Sequence, residues 1–190
     1  HDHCVEKARA FLSQPVPWDR HIIESIPRVN GTELTDCDTA SVLLIEKLHQ
    51  FGFVLINEVP TTELAIIDLA GLLGEIRSHS YAPVFDIWQR DNADILSNTQ
   101  SALNPHVDEP FLNHQPGLFL LHCLEPSPDG GGDSILVDGF MLGKTLKSKD
   151  PSAFAALCEI PIPHHRYRDG DFEHYATATV FDLDAQGEVS

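Results

Sequence analysis

The stretch Asn104-Pro105-His106-Val107-Asp108-Glu109-Pro110 holds an imidazole and a carboxylate two residues apart. Side chains alternate along an extended segment, so His106 and Asp108 face the same side. One neutral imidazole and one carboxylate held together are two of the three ligands of a 2-His-1-carboxylate set. That set binds non-haem Fe(II) and leaves open coordination positions. The same residues also suit a plain surface turn, closed by Asp108 ahead of Pro110. The pair alone does not decide between the two.

The elements that would position the pair lie on either side of it. Pro116-Gly117 is a turn signal, and Leu118-Phe119-Leu120-Leu121-His122-Cys123-Leu124 is an apolar run of buried-strand length. Within it, His122 and Cys123 read as packing residues rather than ligands. A glycine-rich turn (Gly130-Gly131-Gly132-Asp133), a short strand (Ser134-Ile135-Leu136-Val137) and Asp138-Gly139-Phe140 follow. In this order the blocks resemble the γ-butyrobetaine/trimethyllysine hydroxylase family, part of the taurine-dioxygenase-like superfamily of Fe(II)- and 2-oxoglutarate-dependent dioxygenases. Upstream, Gly74-Glu75-Ile76-Arg77-Ser78-His79-Ser80-Tyr81 and Phe85-Asp86 are similar to the same family's Gly-x-Ile-Arg block. The resemblance covers residues 51–189, most of the chain.

The resemblance implies an α+β fold, mostly β: a double-stranded β-helix (jelly roll) with flanking helices, truncated at its C-terminal end. Residues 1–37 become an irregular lead-in after a missing small N-terminal domain, with His3, Cys4, Ala8 and Arg9 matching the joining segment. Residues 38–190 become the N-terminal part of the catalytic domain. The resemblance makes His106 and Asp108 ligands to Fe(II), with 2-oxoglutarate and O2 as co-substrates, and places Leu121 against the co-substrate. It assigns no further catalytic residue. Tyr81 matches one position of an aromatic cage for a cationic group, Phe85 stands where a Trp is usual, and Asn98 stands where a Tyr is expected.

Two parts of the family pattern have no match in the chain: a distal His ligand and the Arg that clamps 2-oxoglutarate. His164, His165 and His174 have no Arg at a suitable distance after them, and read as surface residues. The chain by itself is therefore expected to form an incomplete iron site. The implied activity is oxidation of an unactivated C–H bond in a small polar metabolite. Two alternatives stand beside it: desaturation or cyclisation of an amino acid or natural-product intermediate on the same scaffold, and a non-catalytic jelly-roll binding domain.

Length and composition set the outer bounds. A chain of 190 residues suits one domain. A net charge of −17, from 29 acidic against 12 basic side chains, argues against nucleic acid or an anionic membrane as partner. A small-molecule substrate is the expected partner, with a homodimer left open. Cys4, Cys37, Cys123 and Cys158 are dispersed, which points to reduced thiols and a cytoplasmic protein, or a mitochondrial one in a eukaryote. No run reaches transmembrane length and no signal peptide opens the chain.

Local patterns supply the remaining elements. A helix starts at Thr39 behind an Asp38 cap, with Val42, Ile45, Leu48 and His49 on one face and Gly52 just past its end. A strand over 53–56 follows, then a helix capped by Thr61 or Thr62, carrying Leu64, Ile67, Leu69 and Leu72 and closed by Gly74. Residues 84–88 and 95–97 read as β-like. Helices are expected over 138–147 and 150–158, with Pro151 in a first-turn position. Ala176, Ala178 and Val180 fall on one strand face, ahead of a hairpin turn at Asp184-Ala185-Gln186-Gly187.

Overall fold

A carboxylate just ahead of a helix can accept amide protons that the first turn leaves unpaired, and Asp138 and Asp150 stand at two such points. The computed structural model describes residues 14–35, 39–77, 82–88, 99, 101–128 and 130–190. Its elements are β1 (Arg28–Asn30), α1 (Thr39–Phe51), β2 (Leu55–Asn57), α2 (Ala65–Leu73), α3 (Gly139–Lys149), α4 (Pro151–Glu159), β3 (Ile162–Arg168) and β4 (Phe172–Ala178). Short 3-10 helices occur at Arg20–Ser25 and Gly31–Glu33. The chain divides into two compact units, His1–Ile76 with Leu120–Asp133 and Arg77–Phe119 with Ser134–Ser190.

In the first unit β1 and β2 run parallel, with Val29 opposite Ile56. Parallel neighbours need a crossover, and α1 provides it. Leu44 of α1 is 1% exposed, and Val29 and Ala65 are also buried. The buried positions of α1 are Ser41 and Leu44, so its inner face is turned from the one the sequence suggests, and His49 is exposed. The Ser41 hydroxyl donates to the Thr35 carbonyl, which lets a polar residue be buried there. Gly52 ends α1 at φ 74, with its N–H donating to the Leu48 carbonyl, a left-handed position that favours glycine. The Trp18 indole N–H reaches the Phe51 carbonyl at 2.8 Å and its ring meets Phe53 edge-on. The α2 helix has no side-chain cap. Its first residue donates to the Thr62 carbonyl, so Thr62 contributes backbone rather than hydroxyl. Asp38 lies outside the described residues.

The second unit holds α3, α4 and the antiparallel hairpin β3–β4. Asp138 accepts from the Phe140 amide at 2.9 Å, and Asp150 accepts from the Ala153 amide at 3.0 Å and the Ser152 hydroxyl at 2.8 Å. Pro151 opens α4, where a missing N–H costs nothing. Phe154 packs on Phe181 with ring centroids 5.7 Å apart. Gly143 of α3 lies against Val189 and Phe181, and a Cβ there would come within 2.7 Å of Val189. The Asp184–Gly187 turn forms as expected. The Asp184 N–H donates to Glu188, Gly187 takes φ 78, and Leu183 bridges Val189.

Three apolar runs depart from their expected strand form. Residues 84–88, 118–124 and 134–137 carry no strand, and the large apolar residues Phe85, Leu118, Leu121 and Ile135 are exposed. Residues 95–97 lie outside the described set. A strand needs a neighbour for its backbone N–H and C=O groups, and none of the three runs is paired among the described residues. The described residues are accordingly α+β but not mostly β. More of them lie in the four helices than in the four strands. No described helix is long and apolar enough to cross a membrane.

Candidate metal centre

His106 and Asp108 sit in an irregular loop with bends at Pro105 and Asp108, rather than in a regular strand. Pro105 and Pro110 have no N–H to give to a ladder, which keeps the segment out of a sheet interior. The two side chains nevertheless converge. His106 Nε2 lies 3.2 Å from Asp108 Oδ1, and both side chains are about half exposed, at 51% and 54%.

The other ring nitrogen fixes the chemistry of the first. His106 Nδ1 is 2.7 Å from the Asn104 carbonyl oxygen. A carbonyl can only accept, so Nδ1 carries the proton and donates it. In the neutral ring Nε2 then keeps its lone pair, and two acceptors 3.2 Å apart call for a proton or a cation between them. This backbone-oriented tautomer is the usual state of a metal-ligating imidazole. Two donors bound at about 2.1 Å to one ion and at right angles lie about 3.0 Å apart. The observed separation therefore matches the bite of two adjacent ligands on a single divalent ion. Among the described residues no third His, Cys, Asp or Glu joins them to complete a ligand set.

The loop beyond the pair is strained and then anchored. Glu109 takes φ 53, a left-handed conformation that costs a non-glycine residue about 1–2 kcal/mol. Its carbonyl accepts the Leu112 N–H at 3.0 Å. Phe111 is 8% exposed. Its ring stacks on His174 at 6.0 Å between centroids, and the Arg166 guanidinium lies 5.4 Å from its centre. Arg77 Nη1 donates to the carbonyls of His114 at 3.2 Å and Gln115 at 3.3 Å. An open cleft of about 390 Å³ lies here, lined among others by Arg77, Phe111, His114, Glu173, His174 and Tyr175. His106 and Asp108 do not line it.

The other candidate positions distribute as follows. Leu121 is 66% exposed and belongs to the first unit, whereas His106 and Asp108 belong to the second. Phe85 is 43% exposed in an irregular segment of the second unit. Tyr81 and Asn98 lie outside the described residues, as do His3, Cys4 and Cys37. Cys123 and Cys158 form no disulfide. Of the three downstream histidines, His165 is exposed and pairs with Glu173 at 3.0 Å. His174 is not a plain surface residue: it is half-buried between Phe111 and Phe172.

Sequence reasoning passed over Phe111, the bridge made by Arg77, and the strand β3. A signal for the hairpin was present. Asp169-Gly170 stands between two alternating runs, and Gly170 takes φ 71 in the turn where the Asp171 N–H meets the Arg168 carbonyl.

Comparison with known proteins agrees with the family resemblance read from the order of the blocks. Residues 15–190 match the family model described as "Taurine catabolism dioxygenase TauD, TfdA family". The chain is 36% identical over 162 residues to a γ-butyrobetaine dioxygenase of Pseudomonas sp. (strain AK-1), an alignment covering 84% of this chain and 41% of the relative. It is 27% identical over 198 residues to dioxygenase str8 of Strobilurus tenacellus, covering 100% of this chain and 46% of the relative. To the human mitochondrial trimethyllysine dioxygenase it is 23% identical over 170 residues, covering 88% and 40%. The chain thus spans between two-fifths and one half of the length of these curated relatives. It belongs to the TauD/TfdA family of dioxygenases, as a distant homologue of the γ-butyrobetaine and trimethyllysine dioxygenases.

Proposed function

We propose that this chain supplies the His-x-Asp part of the Fe(II) site in a 2-oxoglutarate-dependent dioxygenase that oxidises an unactivated C–H bond of a small polar metabolite. The observation that carries the reading is the convergence of His106 and Asp108, with Nε2 3.2 Å from Oδ1 and Nδ1 turned to the Asn104 carbonyl at 2.7 Å. When bound, Fe(II) with 2-oxoglutarate and O2 supplies the oxidising chemistry, which is the cofactor's own. The residues of this chain hold and orient. His106 offers a neutral nitrogen, and Asp108 offers a negative oxygen that offsets part of the metal's charge while leaving a labile face. The Asn104 carbonyl keeps the imidazole from turning away. Leu121 is assigned to the wall of the co-substrate pocket, as the family resemblance implies. In the likeness to γ-butyrobetaine dioxygenase, the jelly-roll scaffold and the remaining ligands belong to the complete catalytic domain.

Tyr81, Phe85 and Asn98 are assigned to the substrate pocket. Phe85 presents a weaker face to a cation than the Trp usual in the family, and Asn98 replaces a ring with an amide. A quaternary ammonium cannot hydrogen-bond, so burying it against that amide would cost about 1–3 kcal/mol. A substrate with an amine, hydroxyl or carboxylate at that point is therefore preferred over γ-butyrobetaine itself.

Anaerobic titration of the full-length protein with Fe(II) should show one equivalent bound. 2-Oxoglutarate should then be converted to succinate when a substrate is present. His106→Ala and Asp108→Ala should lose both properties while the fold persists, because neither side chain is part of the core. Undiminished succinate release by either variant would place the site elsewhere. Efficient, selective turnover of γ-butyrobetaine over non-methylated amino acids would overturn the substrate preference alone.

A further inference from the structure

The residues directly after Asp108 are tied to the β3–β4 hairpin through the ring of Phe111. Phe111 is the one buried residue among the described positions of 101–119. It stacks on His174 with its plane inclined by 19°, and Arg166 covers it. Arg166 and His174 are register partners across the hairpin, so Phe111 seats on one cross-strand pair. Phe172 continues the arrangement, stacked on His174 at 5.0 Å and approached by Arg166 at 6.0 Å and Arg168 at 5.5 Å. Arg77 then holds the far end of the same loop by two carbonyls. Between this seat and the ligand Asp108 stand only Glu109, in its left-handed conformation, and Pro110, whose φ is locked by its ring.

We infer that Phe111 is a positioning residue for the metal ligands. Its ring, seated on the Arg166–His174 pair, fixes the stiff Glu109-Pro110 link and so the direction in which Asp108 presents its carboxylate beside His106. The inference rests on the metal reading proposed above and assigns a part to residues outside the His-x-Asp pair. A ligand must be held within about 0.5 Å of its productive place. Two half-exposed side chains on a loop have little packing of their own to do this, and the Asn104 carbonyl orients only the imidazole. A ring locked on a hairpin, three residues away through a link of little freedom, supplies it. An aliphatic side chain could fill the volume but would lose the face that Arg166 and His174 meet.

The test uses the full-length protein and reads Fe(II) affinity by anaerobic equilibrium dialysis, with the melting temperature of the metal-free form measured alongside. Phe111→Ala should weaken Fe(II) binding by about tenfold or more, the scale of losses when a ligand's support is removed. Phe111→Leu should weaken it in the same direction by less, and carries the test if Phe111→Ala does not fold. Phe154→Leu is the control. It removes another buried ring of the same unit, packed on Phe181, and should lower the melting temperature while leaving Fe(II) affinity at the wild-type value. Wild-type affinity in the Phe111 variants, or an equal loss in Phe154→Leu, would reduce Phe111 to core packing and overturn the inference. Absence of Fe(II) binding by the unsubstituted protein would overturn the metal reading itself, and this inference with it.

Discussion

Replacing Gly143 by alanine sets two effects of known size against each other. Alanine in a helix interior is favoured over glycine by about 1 kcal/mol. At Gly143, however, the new Cβ would stand 2.7 Å from Val189 Cγ2 and 3.3 Å from Phe181 Cε1. Carbon atoms prefer about 3.5–4.0 Å, so the overlap with Val189 is near 1 Å. Neither neighbour yields easily: Val189 is β-branched and its backbone is bridged to Leu183, while Phe181 is buried against Phe154. Overpacking of this kind costs about 1–3 kcal/mol, leaving Gly143→Ala neutral to about 2 kcal/mol destabilising. Gly71 in α2 is the matched case, a helical glycine with no neighbouring atom within 4 Å of its would-be Cβ. Gly71→Ala should therefore stabilise its helix by about 1 kcal/mol. Urea denaturation of the full-length protein with peptide-resolved hydrogen exchange reads the two helices separately. Equal stabilisation by both substitutions would show that α3 does not pack on Val189 and Phe181 as described.

Other outcomes follow from single contacts. Asp108→Asn keeps the size of the ligand but removes its charge, and should lower Fe(II) affinity of the full protein by at least about tenfold in equilibrium dialysis. The Ala153 amide and Ser152 hydroxyl hold the Asp150 carboxyl below its ordinary value of 3.8. Its contribution is thus present above that value and lost as pH falls through the lowered native one. Asp150→Asn, still able to cap, should remove this part of the acid dependence, seen by comparing thermal melts at successive pH values. Tyr167 donates to Asp169 at 2.7 Å, and this bond raises it above 10.0. That contribution is present below 10.0 and lost as pH rises through the raised value, so melts of Tyr167→Phe should lack the corresponding alkaline change.

Local signals were the legible ones. The helices expected over 138–147 and 150–158 formed within a residue or two of those bounds, and Pro151 and Gly52 marked boundaries because their constraints are local. The caps made by Asp138 and Asp150 came from the structure. The convergence of His106 and Asp108 was readable from their spacing, although the backbone there is a bent loop rather than a strand. The apolar run 118–124 misled because hydrophobicity announces a wish for burial without naming the partner that provides it. The strand β3 was missed because Pro163, His164, His165 and Arg166 look like a polar surface stretch. Only the register against β4 shows that Arg166 and His174 make a platform. The tautomer of His106 depends on where one carbonyl points, and the seat of Phe111 on residues 55 and 63 positions downstream. Neither lies within the reach of a local pattern.

The left-handed backbone at Glu109 carries a consequence for protein engineering. Glycine adopts φ 53 without the steric conflict a side chain meets, so Glu109→Gly relieves about 1–2 kcal/mol of native strain, part of it returned as added freedom of the unfolded chain. A laboratory selection for heat resistance alone would thus tend to accept glycine or asparagine at this position. The same change would soften the link between Asp108 and its anchor, so variants enriched for survival at high temperature should include ones with slackened iron affinity. Position 109 is where a stability screen and an activity screen of this protein would part company.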